Sequence, residues 1–397
     1  MKNMRTYLSI AAFSLLIALL GAAHLTSAAK MIGRWVPVRM LMAHSGLSKN
    51  LAKKSNLIQV ALLLDTSNSM DGLIEQAKSQ LWSILGELSR MKKEGETPEL
   101  EIALYEYGNL GLPQSNGYIR QATPFTKDMD LVSEMLFALD THGGDEFCGQ
   151  VIHTSLQDLE WGAEQSSLRL IYIAGNEPFT QGAYPYAEAC SLAKEKGVIV
   201  NTIFCGELEE GIAGEWKKGA DIALGAYAAI NQGLQTAYVE SPFDSDITRL
   251  NEELNQTYLP FGEQGVLHQQ KQVTQDANAI KYGHANMADR ASFKASKQYS
   301  NDQWDLVDAY QKDKTAIRDK EALPENMKAM SQEEIEAEIQ RLSVNRAEIQ
   351  QQILQLNDKR RAFIQERDAE KQHAESLENS ILKSLREQAR AKGFVVE

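Results

Sequence analysis

Residues 57–64 are an apolar run, Leu-Ile-Gln-Val-Ala-Leu-Leu-Leu, too short for a bilayer span, and the stretch behind it repeats apolar side chains at helical spacing through Leu73, Ile74, Ala77, Leu81, Leu85 and Leu88. A buried strand followed by a helix is the simplest structure with that pattern. The alternation continues. It predicts strands over 57–64, 99–107, 117–123, 168–174, 198–205 and 226–230, and helices over 72–93, 127–139, 149–161, 184–196 and 209–222. The runs Val60 to Leu64 and Leu168 to Ala174 are continuously apolar, as strands covered on both faces must be. Glu101, Tyr105 and Tyr107 make the second strand read as more exposed. The fold class expected is α/β, a doubly wound, mostly parallel sheet of Rossmann-like type, followed by a helical region that ends in a long helix. A unit of about 180 residues is large enough to bury its own core.

Past residue 240 the pattern changes. Residues 241–258 begin with Ser-Pro and alternate charged with apolar positions, and 264–279 are rich in Gln, which suits a loop or a surface helix. Phe293, Tyr299, Trp304 and Tyr310 offer enough aromatic area to pack on the first domain. Ser331-Gln-Glu-Glu334 is a capping box, and a long polar helix is expected from there to about residue 392. Ile335, Leu342, Ile349, Leu356 and Phe363 recur every seven residues, with Ile339, Ile353, Leu377 and Ile381 on the same stripe. Arg346, Arg360 and Arg367 interrupt that stripe, which a clean two-stranded zipper rarely tolerates. The seam is therefore expected to meet another helix of this chain, a second copy, or a different protein. The organisation read from these changes is a leader over 1–29, a linker over 30–53, the strand-and-helix domain over 54–240, a helical connecting region over 241–330 and the long amphipathic helix over 331–392.

The leader carries a short basic region to Arg5, an apolar stretch from Leu8 to Leu20, and the small residues Thr26-Ser-Ala-Ala29. That order predicts an exported protein, periplasmic or secreted, with cleavage after Ala29; the competing reading is an anchor that keeps residues 7–23 in the membrane. Three cysteines allow at most one internal disulfide, for which Cys148 and Cys205 are the candidate pair, while Cys190 reads as a small buried hydrophobe. A net charge of -13 and basic residues interspersed with Glu argue against nucleic-acid binding. No phosphate loop of the Gly-x-x-x-x-Gly-Lys type occurs, and the seven histidines form no zinc-binding pattern.

The chemistry sits where the first strand stops, at Asp65-Thr-Ser-Asn-Ser69. In open parallel sheets ligands bind beyond the carboxyl ends of the strands, and an Asp with two hydroxyls two residues apart offers oxygen ligands to a small hard dication. The plainer reading is that Asp65 and the serines cap the first helix. Asp65-x-Ser67-x-Ser69 resembles the first segment of the metal-ion-dependent adhesion site (MIDAS) of von Willebrand factor type A domains, and the resemblance extends from residue 54 to about 235. It implies a second loop, here Thr141-His-Gly-Gly-Asp-Glu-Phe-Cys-Gly149, with Asp145 where Thr is usual, and a third, Leu170 to Pro178, with Asn176 where Asp is usual. The ligand set it implies is Asp65, Ser67, Ser69, Asp145 and Asn176, with Glu146 and Glu177 as alternative ligands or acceptors behind them. The ion implied is Mg2+, alternatively Mn2+ or Ca2+. The function implied is an exported binding or scaffold module that captures an acidic side chain of a partner protein, with self-association through the long helix as a further expectation. An enzyme is not expected; a metal-assisted hydrolase and a scaffold with a degenerate site are the alternatives.

Overall fold

The computed structural model describes residues 56–231, 233, 239–368 and 377–396. The expected leader and linker lie outside them. Strand β1 (Leu57–Asp65) leads through helix α1 (Asp71–Ser89) and a short strand β2 (Met91–Lys93) to β3 (Glu99–Tyr107) and β4 (Ile119–Thr126). Helices α2 (Met129–Phe137) and α3 (Cys148–Asp158) precede β5 (Leu168–Gly175), and α4 (Tyr186–Glu195) precedes β6 (Ile199–Phe204). Two short helices, α5 (Leu208–Ala213) and α6 (Trp216–Ile222), then lead to β7 (Tyr227–Ala229). The sheet order is β4-β3-β1-β5-β6-β7, with β4 antiparallel to β3 and every other pairing parallel. This is the doubly wound, mostly parallel sheet the apolar runs predict. The chain builds outward from β1 on one side, then returns to build on the other, so the crevice where the order reverses opens at the carboxyl end of β1.

Each face of the sheet is covered. Val60 and Leu64 of β1 pack with Leu81, Trp82 and Leu85 of α1, whereas Ala61 and Leu63 point to the core shared with α3 and α4. Burial of each Leu or Ile in these layers contributes roughly 1.5–3 kcal/mol. Tyr105 and Tyr107, expected to be exposed, have no exposed surface, because α3 lies over them. The helix expected over 72–93 stops at Ser89, and Met91–Lys93 instead pairs antiparallel with a C-terminal strand β8 (Phe394–Val396). The Lys93 ammonium sits 4.7 Å from the Phe394 ring centroid. The helix expected over 209–222 is two helices broken at Gly214 and Glu215, the latter at φ 72, and the break turns Trp216 inward against Phe179, ring centroids 4.7 Å apart.

The C-terminal part is helical: α7 (Asp244–Asn255), α8 (Gly265–Lys281), α9 (His284–Lys294), α10 (Leu306–Lys312), α11 (Gln332–Asp368) and α12 (Leu377–Ala391). The described residues belong to one compact unit. Helix α9 docks on α1, with Phe293 5.9 Å from Trp82 between ring centroids and the Arg290 guanidinium 4.4 Å from the Trp82 ring. Two of the arginines that break the seam of α11 are the docking points of that helix. Arg346 reaches Asp305 at 2.6 Å and Asp308 at 2.7 Å, and Arg360 reaches Asp244 at 2.8 Å and Asp289 at 2.6 Å. Helix α12 returns to the sheet and lies on α1, β5 and β6. There the Tyr172 and Ser384 hydroxyls are 3.0 Å apart, and Asn201 Nδ2 donates to Gln388 Oε1 at 3.0 Å.

Candidate functional site

The Asp65 side chain has no exposed surface. Its Oδ1 accepts the Ser67 backbone N–H at 2.7 Å, which folds Thr66 to Ser69 into a tight turn over the strand end. The Ser67 and Ser69 hydroxyls lie 3.3 Å apart, and Asn176 Nδ2, arriving from the end of β5, donates to Ser69 Oγ at 3.0 Å. Neither Ser67 nor Met70, the residues that open the following 3-10 turn and α1, makes a side-chain capping bond. The polar cluster therefore does not serve as a helix cap. Two of its oxygens, Asp65 Oδ2 and Asn176 Oδ1, are buried without a hydrogen-bond partner among the described residues, and such orphaned acceptors cost free energy unless something fills the need.

The second loop enters through Glu146. Its side chain is buried, and its carboxyl lies within hydrogen-bonding reach of the Asp65 carboxyl and the Ser67 side chain. The Gln181 side-chain Oε1 accepts the Glu146 backbone N–H at 2.8 Å and fixes the loop. Asp145, the residue the resemblance implies as ligand, is exposed. Burial pushes the carboxyls of both Asp65 and Glu146 above the usual range, and the charge of Asp65 pushes Glu146 further. Glu177 is half-buried, and its charge raises both.

Several residues that build the site are silent in the sequence pattern. Gly108, at φ +77, carries the chain out of β3, and a Cβ there would lie 2.8 Å from both Asp65 Oδ1 and Glu146 Cγ. Gly175 is equally constrained, since a Cβ would lie 2.5 Å from the Tyr107 hydroxyl and 3.1 Å from Asp65 Oδ2. The Tyr107 hydroxyl donates to the Ala174 carbonyl at 3.0 Å, beneath the site. Thr66 Oγ1 lies 3.2 Å from Glu106 Oε2, and the Thr66 carbonyl accepts the His142 N–H at 2.9 Å, which ties the first loop to the second. The expected Cys148–Cys205 disulfide is absent, since all three cysteines are free and buried. Cys148, the first residue of α3, belongs to the core on that face, whereas Cys205 belongs to the core on the α1 side, so the sheet lies between them.

Among the described residues no three His, Cys, Asp or Glu side chains gather as a metal-holding group. The donors at the end of β1 are hydroxyls, an amide and two carboxyls. No family model matches the chain, and no curated protein does. Similar solved structures include proximal thread matrix protein 1 from the mussel byssus, at 11% identity and TM-score 0.32, covering 44% of this chain and 41% of that one. This chain thus spans about two fifths of that protein. BatB from Bacteroides thetaiotaomicron is 17% identical over 44% of this chain and 90% of its own, with TM-score 0.33. The SpRpn10 VWA domain is 17% identical over 45% of this chain and 90% of its own, with TM-score 0.34.

Proposed function

Taking the strand-and-helix unit as a von Willebrand factor type A-like domain, we propose that it is a metal-dependent protein-binding module whose ion is held at the end of β1. The observation that carries this reading is Asp65 Oδ2, a fully buried carboxylate oxygen without a partner at the place where two hydroxyls, an amide and a second carboxyl meet. Asp65, Ser67, Ser69 and Asn176 would hold the cation, and the hard oxygen set suits Mg2+ first, with Mn2+ and Ca2+ as alternatives. When bound, a divalent ion supplies positive charge that neutralises the buried carboxyls and a coordination position for an outside oxygen. Ser69 is exposed while Asp65 and Ser67 are buried, so an incoming side chain reaches the site from the Ser69 side. The partner favoured is a protein that presents an acidic residue.

The basic, apolar and small-residue order of the leader supports an exported location. No helix among the described residues is long and apolar enough to cross a membrane. The helical part acts as a scaffold for the domain, since α9, α11 and α12 pack on it or on one another and not away from it. The test is binding of an Asp-bearing peptide to the immobilised full chain in Mg2+ and in a chelator. Binding present in Mg2+, lost in chelator and lost in Ser69→Ala supports the module; binding indifferent to chelator contradicts it.

A further inference from the structure

The resemblance to type A domains places a metal-contacting side chain directly after the Gly143-Gly144 pair, at Asp145. The structure points that residue to solvent and turns the next one inward. We propose that Glu146, and not Asp145, is the second carboxylate ligand of the ion, so that the chain balances the charge of the cation from within and retains it with no partner present. This assignment rests on the metal-binding reading above.

Three observations lead to it. First, Glu146 is 4% exposed and its carboxyl meets Asp65, whose own Oδ2 has no partner. Two carboxyls pressed together inside a protein share a proton or a cation, and the second oxygen of Asp65, left without a partner on the Gly175 side, is an acceptor that a cation can use. Second, the backbone has been shaped to admit the longer side chain. Gly108 leaves empty the volume that a Cβ would fill at 2.8 Å from both Glu146 Cγ and Asp65 Oδ1, and it does so at a positive φ that favours glycine. Third, the Gln181 side chain accepts the Glu146 N–H, so the loop is fixed in the inward orientation by a residue that has no other part in the site.

Charge counting gives the consequence. Asp65 and Glu146 together supply two negative charges to a divalent ion, whereas a site with one carboxylate leaves a net positive charge that an acidic partner must answer. The ion here is held as part of the fold, and an acidic partner adds to a site that is already neutral.

The experiment is calorimetric titration of Mn2+ into the full wild-type chain and into Glu146→Gln, Asp145→Asn and Asp65→Ala, with thermal melting of each in chelator. The expected pattern is saturable binding by the wild type without any partner, weakening of about tenfold or more in Glu146→Gln, and a change of less than about twofold in Asp145→Asn. In chelator, Glu146→Gln should melt no lower than the wild type, because the amide can donate to Asp65 as the protonated carboxyl does. Weaker metal binding by a metal-free chain that is no less stable is a combination that loss of folding cannot produce. Binding lost in Asp145→Asn and kept in Glu146→Gln overturns the assignment while leaving the metal reading intact. No binding by the wild type ends both.

Discussion

Replacing Arg346 with Met tests whether α11 is a fixed part of this fold. The guanidinium is nearly fully buried and bonds on every side: Nη1 to Asp305 at 2.6 Å and Asp308 at 2.7 Å, Nε to Thr257 Oγ1 at 3.0 Å, and Nη2 to the Thr257 carbonyl at 2.6 Å. It also stacks 4.2 Å from the Tyr258 ring. Met keeps much of the apolar stem and removes the charge and all four of these hydrogen bonds. Asp305 has no exposed surface and, among the described residues, would keep the backbone N–H groups of Leu259 and Asp308 as donors. Removing one partner of a buried pair costs about 3–5 kcal/mol, since the remaining charge is uncompensated, and the lost cation–π contact adds about 1 kcal/mol. Against a total stability of about 5–15 kcal/mol this is a large share. Urea unfolding of wild type and Arg346→Met, followed by circular dichroism, should show the midpoint fall by an amount equivalent to at least 3 kcal/mol. Asp305→Asn added to Arg346→Met should recover part of the loss, because it removes the orphaned charge. A single variant less than about 1 kcal/mol below wild type would refute the reasoning and return the seam of α11 to a partner outside this chain.

Stability of the metal-free chain should fall as pH rises. Asp65 is pushed up to about 6 and Glu146 to about 9, both above the values of the unfolded chain, so their contribution is fully present below about pH 4 and is lost as pH rises through 6 and then 9. For Asp65 that is on the order of 3 kcal/mol. At the acid end Asp276 acts oppositely: burial would raise it, but Lys294 and Arg290 outweigh burial and hold it well below the ordinary range, so its contribution is lost as pH falls. Melting curves in chelator from pH 4 to 9 should therefore decline, and saturating Mg2+ should flatten the decline; a metal-free chain that gains stability over that range contradicts the site. Gly108→Ala forces a Cβ against Asp65 and Glu146 at positive φ and should cost about 1–3 kcal/mol, read by thermal melting, with metal affinity falling as well. A thiol reagent should titrate three thiols in the chain unfolded without reductant, and reductant should leave the melting temperature unchanged; one thiol would restore the disulfide.

How much of this was legible in the sequence depends on the distance over which each signal acts. The strands and helices of the first domain are written locally, in apolar runs and helical periodicity, and Asp65-x-Ser67-x-Ser69 is written in five consecutive residues. What was misread depends on neighbours far away in the chain. Met91–Lys93 continued a helical pattern, and only Phe394–Val396 makes it a strand. Tyr105 and Tyr107 carry polar hydroxyls that suggested exposure, yet α3 buries them and the Ala174 carbonyl accepts the Tyr107 proton. The arginines of α11 looked like flaws in a dimer seam, because their acceptors, Asp244, Asp289, Asp305 and Asp308, lie on three other helices or at their caps. The cysteine pair failed for a reason of the same kind, since closeness to one rim in sequence says nothing about which face of the sheet a side chain takes. At the site, the order Asp145-Glu146 offered two adjacent carboxylates, and only the turn of the loop, fixed by Gln181, selects between them.

The most direct measurement of the central claim is calorimetric titration of Mg2+ into the full chain beside Asp65→Ala. One saturable site per chain in the wild type, absent in the variant while the variant keeps its circular dichroism spectrum, is the predicted result. Equal heats from both chains, or none from the wild type, would contradict the claim that the end of β1 is a cation site.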